Sequence, residues 1–456
     1  MEPLRPNNLV LPVAAVGNAS LPILGPETPP SVEPEENYEL EIELMAECLS
    51  LIAPKFIDLE LLGSGSYGLV VSAMDIDSKI QVAIKRISPF ANNIDCYETL
   101  KEMKILARFD HPNIINLIEI VTAPTMEMMT SIYLVSDVLE TDLDKVLCQR
   151  DLDNEEIRSI MHQILKGLKY IHSANIIHRD IKPSNILLDN YERDVKICDF
   201  GFGTLASAVP LCEFSHYITT RQYIAPEVIL NPDNYTKAID NWSVGCILAE
   251  MFNREKLFRE TDNFHQIEVI FGFLGKPTAE DLATIIPQTN RNFVSGLKTT
   301  CKKELSTIYP NIDPLAVNLL SMLLVFNPNR RISADLALSH LYFHGFIQEL
   351  DNSTCALPFT TELNVDNFDK TVLKSMIFEE AKIINLVCSS QQMQLNLEVD
   401  QVQPLVRQVE VLDVIHKVEA VIDIVHVVMQ KVQDLVQEVK DTMDGEPPAK
   451  KMKKSP

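Results

Sequence analysis

The chain has 456 residues, 46% of them hydrophobic and 23% charged, which supplies ample material for a buried core and excludes disorder throughout. Its 40 Lys and Arg stand against 64 Asp and Glu, a formal net charge of −24, so the chain as a whole repels nucleic acid and anionic lipid, and any polyanion it handles must meet a locally basic site. Nine scattered cysteines without a C-x-x-C pair fit neither a disulfide framework nor zinc-ligand spacing and suit a reducing cytosol or nucleus. The N-terminal apolar run is broken at Pro12 and is too short for the core of a secretory signal. No stretch approaches the roughly 20 apolar residues of a membrane-spanning helix.

Residues 1–55 hold eight prolines before position 35 and nine acids against Arg5 and Lys55. That composition opposes regular helix and repels itself, and it predicts a mostly disordered, acidic extension with room for one short helix over 40–52. From Phe56 the pattern changes to β-rich runs at 68–74 and 81–87, followed by a helical stretch over 95–109. Beyond Leu139 apolar residues recur at three- and four-residue spacing over 155–172, 242–252, 264–274 and 314–324, the period of helices packed on a core. A small mostly-β unit with one helix thus precedes a larger helical one. After about Asp400, Val recurs at 411, 418, 425, 432 and 439, with Val414, Val421, Val428 and Leu435 between them. This seven-residue repeat is the signature of a coiled-coil seam. Ile415, Ile422, Met429 and Val436 widen the stripe, so the segment docks either on another chain or on its own catalytic unit.

The chemistry-bearing residues begin with Gly63-Ser64-Gly65-Ser66-Tyr67-Gly68, whose glycines let backbone N–H groups approach phosphate oxygens. This turn is flanked by strands, with Val82-Ala83-Ile84-Lys85 on the next strand, whereas a dinucleotide-binding turn would open a helix. Lys85 alternates outward from a buried strand. In isolation it reads as a surface lysine, but Glu102 on the following helix is placed to pair with it and hold it against phosphates. The run His178-Arg179-Asp180-Ile181-Lys182-Pro183-Ser184-Asn185 then combines a carboxylate able to take a hydroxyl proton, a lysine able to neutralise a transferring phosphoryl group, and an amide able to ligate a metal ion. Asp199-Phe200-Gly201 supplies a second oxygen ligand for Mg²⁺, and Ala225-Pro226-Glu227 closes the intervening segment.

These motifs, in this order, resemble those of protein kinases over roughly residues 56–385. The finer resemblance is to the mitogen-activated protein kinases. It rests on Glu140-Thr141-Asp142-Leu143, residues 167–175, residues 196–201, Tyr309-Pro310-Asn311, Phe326-Asn327-Pro328, Leu274-Gly275-Lys276-Pro277 and the 376–380 segment Met-Ile-Phe-Glu-Glu. The implied fold is α+β, the bilobal protein kinase fold. A kinase domain over 56–347 divides into a small β-rich lobe with one main helix (56–139) and a large, mostly helical lobe (140–347). A C-terminal extension at 348–385 returns to the small lobe, and a linker (386–404), a Val-rich heptad helix (405–442) and a basic tail (443–456) follow. The resemblance implies a serine/threonine protein kinase that uses ATP and Mg²⁺. Asp180, Lys182, Lys85 and Glu102 would be its catalytic residues, and Asn185 and Asp199 its metal ligands. The nucleotide would lie among Leu62, Gly63, Ser64, Gly65, Ser66, Tyr67, Gly68, Val70, Ala83, Lys85, Ser136, Asp137 and Leu139. Arg331 would pair with Glu227, and Asp240 would brace the catalytic loop.

Departures from the family pattern are equally specific. The activation lip carries Ser215-His216-Tyr217, so Ser215 and Tyr217 are the expected phosphorylation sites. Thr204 and Ile224 replace two arginines, and Lys101 lacks an arginine's bidentate fork, which leaves Arg179 and Arg221 to read lip phosphate. The acidic docking cluster is thinned to Glu349 and Asp351. Ser136 stands at the back of the pocket where the family usually has a larger side chain, which leaves an accessible rear pocket, and Cys198 is either a thiol facing the nucleotide or an inert buried one. The expected partners are protein substrates, an upstream mitogen-activated protein kinase kinase, docking-motif proteins and a helical partner or second copy at 405–442, with no membrane and no direct nucleic acid contact. The basic run 450–454 points to cytoplasm and nucleus. The competing readings are a kinase-fold scaffold acting through docking and coiled-coil contacts, a pseudokinase and a cyclin-dependent type enzyme.

Overall fold

The computed structural model describes residues 52–389 apart from 53, 66–67, 190–193, 207–220, 233, 260–261, 299–303, 346–353, 361–362 and 364–368. The N-terminal extension, the heptad segment 405–442 and the basic tail lie outside the described residues, as does nearly all of the helix expected over 40–52. The small lobe is a five-stranded antiparallel sheet in the order β1-β2-β3-β5-β4. Its strands are β1 (Phe56–Gly65), β2 (Gly68–Asp75), β3 (Gln81–Ile87), β4 (Leu117–Val121) and β5 (Ile132–Asp137). Two-residue alternation on β3 buries Val82, Ile84 and Arg86 and leaves Ala83 and Lys85 half-buried on the opposite face, as the pleat requires. Gly68 opens β2 with φ +119°, and a Cβ there would lie 1.9 Å from the Arg86 carbonyl oxygen, so only glycine lets the β1–β2 turn close against β3.

Helix α1 (Asn93–Arg108) lies between β3 and β4 in the chain. It starts ahead of the expected residue 95 because the Asn92 side chain accepts from the Asp95 amide and caps the first turn. Cys96, Leu100, Met103 and Leu106 are buried along one stripe. The free edge of β4 is closed by α12 (370–389), whose Asn385 amide accepts from the Ile120 N–H and donates to the Ile120 carbonyl, both at 2.8 Å. A side chain thus takes the place of a neighbouring strand and covers an edge that would otherwise template pairing. Cys388 continues the contact toward the Leu117 carbonyl. These bonds carry the helix past the expected boundary at 385 into the segment read as linker.

The large lobe contains two small sheets. One joins β6 (Thr141–Asp142), β8 (Ile186–Leu188) and β9 (Val195–Ile197), and the other joins β7 (Ile176–Ile177) and β10 (Thr204–Leu205). Its helices are α2 (Leu143–Gln149), α3 (Asn154–Ser173), α4 (Pro226–Leu230), α5 (Ala238–Asn253), α6 (Asn263–Leu274), α7 (Ala279–Ala283), α8 (Gln288–Gly296), α9 (Leu305–Ile308), α10 (Pro314–Leu323) and α11 (Ala334–Leu338). Helix α3 starts at a capping box in which Asp153 and Glu156 satisfy each other's backbone N–H groups. It turns Ile157, Ile160, Ile164, Leu168 and Ile171 inward. Helix α5 is buried on nearly every side, so it is the post around which the lobe is built. Its Trp242 stacks on Phe258 with ring centroids 5.8 Å apart.

Arg331 joins α4 to the chain after α10. Its guanidinium makes two bonds to Glu227, at 2.6 and 2.9 Å, and others to the carbonyls of Ala238 and Phe326, with the two side chains 0% and 4% exposed. Breaking a buried, bidentate pair leaves a desolvated charge. Arg331→Met should therefore lower unfolding stability by about 3–5 kcal/mol, read as a fall in the urea midpoint. A change below about 1 kcal/mol would mean that Glu227 finds another partner.

Candidate active site

The site forms where the sheet, α1 and the two small sheets of the large lobe converge. On β3, Lys85 pairs in register with Val70 and Leu134, and its ammonium donates to Glu102 Oε1 at 2.8 Å and to Asp199 Oδ1 at 2.9 Å. The surface-lysine reading of this residue is set aside by these two bonds. Burial alone would lower the Lys85 pKa, but the Asp199 and Glu102 carboxylates outweigh it and hold it far above its ordinary value. Burial raises Glu102, and Asp199 adds to that against the pull of Lys85. Asp199 is held below the usual carboxylate range because Lys85, with smaller help from His178 and Lys182, overcomes its burial. One ammonium cannot fully offset two buried carboxylates, so the two share it.

The catalytic loop, residues 178–185, runs between β7 and β8. Asp240 at the start of α5 organises it: Oδ2 accepts from His172 Nε2 and the His178 amide, and Oδ1 accepts from the Arg179 amide, all at 2.9 Å. The His172 bond and charge and the His178 amide hold the Asp240 carboxyl below its usual range although burial opposes them. Arg179 and Asp199 both adopt left-handed backbone angles, φ 72° and 65°, conformations that cost a non-glycine residue roughly 1–3 kcal/mol and persist only when neighbours fix them. Asp240 fixes the first. The second is fixed by Lys85 and by bonds to the preceding residue, in which the Cys198 amide donates to the Asn185 carbonyl and His178 Nε2 contacts the Cys198 carbonyl.

Asp180 is buried, and its Oδ2 accepts from Lys182 Nζ at 2.6 Å and from the Asn185 amide at 3.1 Å, while Asn185 also donates to the Asp180 carbonyl at 2.8 Å. Asn185 thus spends its nitrogen on Asp180 and keeps its oxygen, the ligating atom of an amide, for an ion. Among the described residues no group of three His, Cys, Asp or Glu side chains forms a metal cage. An amide oxygen and a carboxylate oxygen suit Mg²⁺, which usually completes its shell with phosphates and water, so the donor set fits Mg²⁺ with ATP. The linker to the large lobe is pinned by Lys196 Nζ on Asp137 Oδ2 at 2.8 Å, and the Asp137 amide donates to the Asn116 carbonyl.

Leu62 is exposed, and Val70, Ala83, Ser136 and Leu139 are half-buried, with Ala83 opposite Ser136 across β3 and β5. Gly63, Gly65 and Gly68 lie on β1 and β2, Gly65 facing Gly68. Ser66, Tyr67, Ser215, Tyr217, Glu349 and Asp351 lie outside the described residues, as does the side chain of Ser64. Arg179 lies over the Tyr235 ring at 5.7 Å and reaches the Phe202 carbonyl, whereas Arg221 is exposed on a short 3₁₀ turn. Cys198 is half-buried, and burial, with Asp199 adding to it, holds its thiol above the ordinary value, which leaves little of the reactive thiolate. Sequence reading missed the Lys196–Asp137 pair and the His172 bond to Asp240. Residues 167–175 carry part of the resemblance, yet only the folded backbone brings His172 to α5.

Residues 56–343 match the protein kinase domain family. The chain is 43% identical over 335 residues to mitogen-activated protein kinase mpk-1 of Caenorhabditis elegans, covering 73% of this chain and 75% of the relative. It is 38% identical over 326 residues to mitogen-activated protein kinase 3 of Arabidopsis thaliana, covering 71% and 87%.

His178 provides a pH test of the loop. Its buried ring accepts from the Asp180 amide at Nδ1, 3.3 Å away, so Nε2 carries the proton toward the Cys198 carbonyl. Burial, which outweighs Asp240 and Asp180, lowers its pKa from 6.5. The unfolded chain therefore binds the proton more readily, and His178's contribution to stability is complete above the unfolded value and is lost as pH falls through the folded one. Urea midpoints should fall between about pH 7.5 and about pH 5.5, and the fall should shrink in His178→Phe. An equal fall in both proteins would assign the loss to other groups.

Proposed function

The chain belongs to the mitogen-activated protein kinase family of serine/threonine protein kinases, and from that premise we propose the roles of its individual residues in transferring the ATP γ-phosphoryl group to protein Ser and Thr hydroxyls. The observation that carries the assignment is the pair of hydrogen bonds that Lys85 donates to Glu102 and Asp199, beside Asp180 held by Lys182 and Asn185. When bound, ATP supplies the phosphoryl group and Mg²⁺ neutralises its charge. Lys85 holds the phosphates, and Glu102 fixes the direction in which that ammonium points. Asn185, through its amide oxygen, and Asp199 would hold the metal. Asp180 orients the substrate hydroxyl and accepts its proton, and Lys182 offsets the negative charge that develops beside it.

Backbone N–H groups of Gly63, Gly65 and Gly68 would approach the phosphates, while Leu62, Val70, Ala83 and Leu139 would enclose the base. The Asp137 amide is committed to Asn116, so Asp137 offers its carbonyl and Leu139 offers its N–H to the adenine edge. Ser136 leaves space behind the base. The mitogen-activated protein kinase relatives support protein substrates and an upstream kinase as partners. Regulation through phosphate on Ser215 and Tyr217 would be read by Arg179 and Arg221 with a reduced set of donors, since Thr204 and Ile224 carry no guanidinium. Glu349 and Asp351 offer basic docking motifs a weak acidic groove. The Val-rich 405–442 segment would associate with another helix, either of its own domain or of a partner.

Asp180→Asn should lower kcat about 10²–10⁴-fold with nucleotide affinity nearly unchanged, whereas Asp199→Asn should weaken metal and ATP binding together. Equal turnover of wild type and Asp180→Asn sinks the assignment. In the same assay, on Ser-Pro and Ser-Ala peptides, phosphorylation of Ser215 and Tyr217 should raise kcat/KM less than about a hundredfold, the equivalent of roughly 2.7 kcal/mol, and without strict dependence on proline. A larger, strictly proline-dependent rise would mean that the lost arginines are compensated. For the tail, Val425→Asp places a charge at the middle of the seam. Unchanged sedimentation and unchanged stability in that variant would rule out association.

A further inference from the structure

Lys101 stands next to Glu102 on α1 and carries a charge that would ordinarily face water, yet its side chain is only 5% exposed. Its ammonium donates to the carbonyl of Gly203 at 3.2 Å, lies 2.6 Å from Glu98 Oε2 one turn earlier, and sits 4.8 Å from the centre of the Tyr97 ring. The Glu98 contact is an ion pair without the alignment of a hydrogen bond. Burial lowers the Lys101 pKa, Glu98 opposes that, and the Arg179 charge adds to it. A buried ammonium persists only with a counter-charge and hydrogen-bond acceptors, and here one of each is supplied.

The acceptor is in a telling place. Gly203 ends the turn that begins at Asp199, and its amide donates to the Phe200 carbonyl at 2.8 Å. A Cβ on Gly203 would lie 2.8 Å from Ile105 Cδ1 and 3.0 Å from the Phe200 carbonyl oxygen, so glycine is what lets α1 come this close. Lys101 and Ile105 are four residues apart and share a helix face. The same face continues to Phe109, just past the helix end, whose ring meets Phe200 edge-on at 5.3 Å. Lys85 joins Glu102 to Asp199 beside them. The contact between α1 and residues 199–203 therefore has an apolar part at Ile105 and Phe109 and a polar part in which Lys101 bonds the backbone directly.

We infer that Lys101 is a positioning residue for phosphoryl transfer: by tying α1 to the Gly203 carbonyl, with Glu98 of the same helix as its counter-charge, it holds Glu102 in register with Lys85 and Asp199. This tie needs no phosphate on the lip. A lip phosphate that sought Lys101 would have to displace Glu98 at 2.6 Å, so position 101 fastens the helix to the turn instead of reading phosphorylation. The inference rests on the catalytic assignment above and acts through Glu102.

The test uses the purified full chain with Mg-ATP and a peptide substrate, assayed well below the melting temperature of every variant. Lys101→Met should lower kcat/KM for ATP about tenfold or more, and Lys101→Arg, which keeps a charged donor, should restore most of it. In a Glu102→Gln background the Lys101→Met change should have almost no further effect, because a residue that acts through Glu102 has nothing left to position. Should Lys101→Met fail to fold, Glu98→Gln, which keeps side-chain volume and removes the counter-charge, should lower kcat/KM in the same direction. A lower melting temperature with unchanged kcat/KM, or losses that simply multiply in the Glu102→Gln background, would overturn the inference in favour of a purely structural lysine. An inactive wild-type chain would instead overturn the catalytic reading itself.

Discussion

A single ammonium between two carboxylates from different parts of the chain sets the terms for the whole cleft. Lys85 comes from the sheet, Glu102 from α1 and Asp199 from the turn after β9, so the three charges meet only when three separately built elements are correctly placed. Their net charge is negative, because one cation faces two anions with little water to screen them. That residual charge is favourable only beside further positive charge, which a metal ion would supply at Asp199 and Asn185. Glu102, raised by its burial, and Asp199, held down by Lys85 against its burial, share that one ammonium, so the ionisation of either depends on what else occupies the cleft.

The large lobe solves a different problem, that of holding strained backbone. Arg179 and Asp199 would relax from their left-handed angles in an isolated loop, at a gain of about 1–3 kcal/mol each. Asp240 prevents this for Arg179 by accepting two consecutive loop amides. It can do so because α5 is buried on nearly every side, and an acceptor on a mobile surface helix could not hold backbone in this way. The Glu227–Arg331 pair belongs to the same logic, since Arg331 also bonds the Ala238 carbonyl at the first residue of α5. Core packing is thereby converted into the placement of Asp180.

Much of this was legible in the sequence because short motifs carry their own geometry. The glycine turn, the Lys85 strand, the 178–185 loop and the Asp199 turn each place functional atoms within a few residues, and Glu102 on the helix after Lys85 was placed to pair with it. The elements that escaped reading are those decided by contacts far apart in the chain. Helix α12 overruns residue 385 because Asn385 finds an open strand edge 265 positions away in sequence, a partner that no local pattern announces. The short helices α7, α8 and α9 are too brief for a 3.6-residue period to declare itself. Lys101 was read from its chemistry as an incomplete phosphate reader. What the chemistry could not supply was the position of the Gly203 carbonyl, which becomes its partner only when the turn packs on α1.

The charge distribution gives these contacts a common direction. In a chain of net charge −24 the long-range field disfavours an anionic nucleotide, but screening limits that field to about 8–10 Å at physiological salt, and local cations decide the outcome. Lys85, Lys182 and Lys196 are each hydrogen-bonded to a carboxylate at 2.6–2.9 Å, and Lys101 on the helix behind them is ion-paired with Glu98. An ammonium already paired offers an incoming phosphate less attraction than a bare one, yet its position is set in advance, and the reorganisation that a flexible lysine would require is avoided. The cleft therefore trades ground-state attraction for geometry. That trade favours stabilisation of the charge that develops during transfer over tight holding of the nucleotide before it.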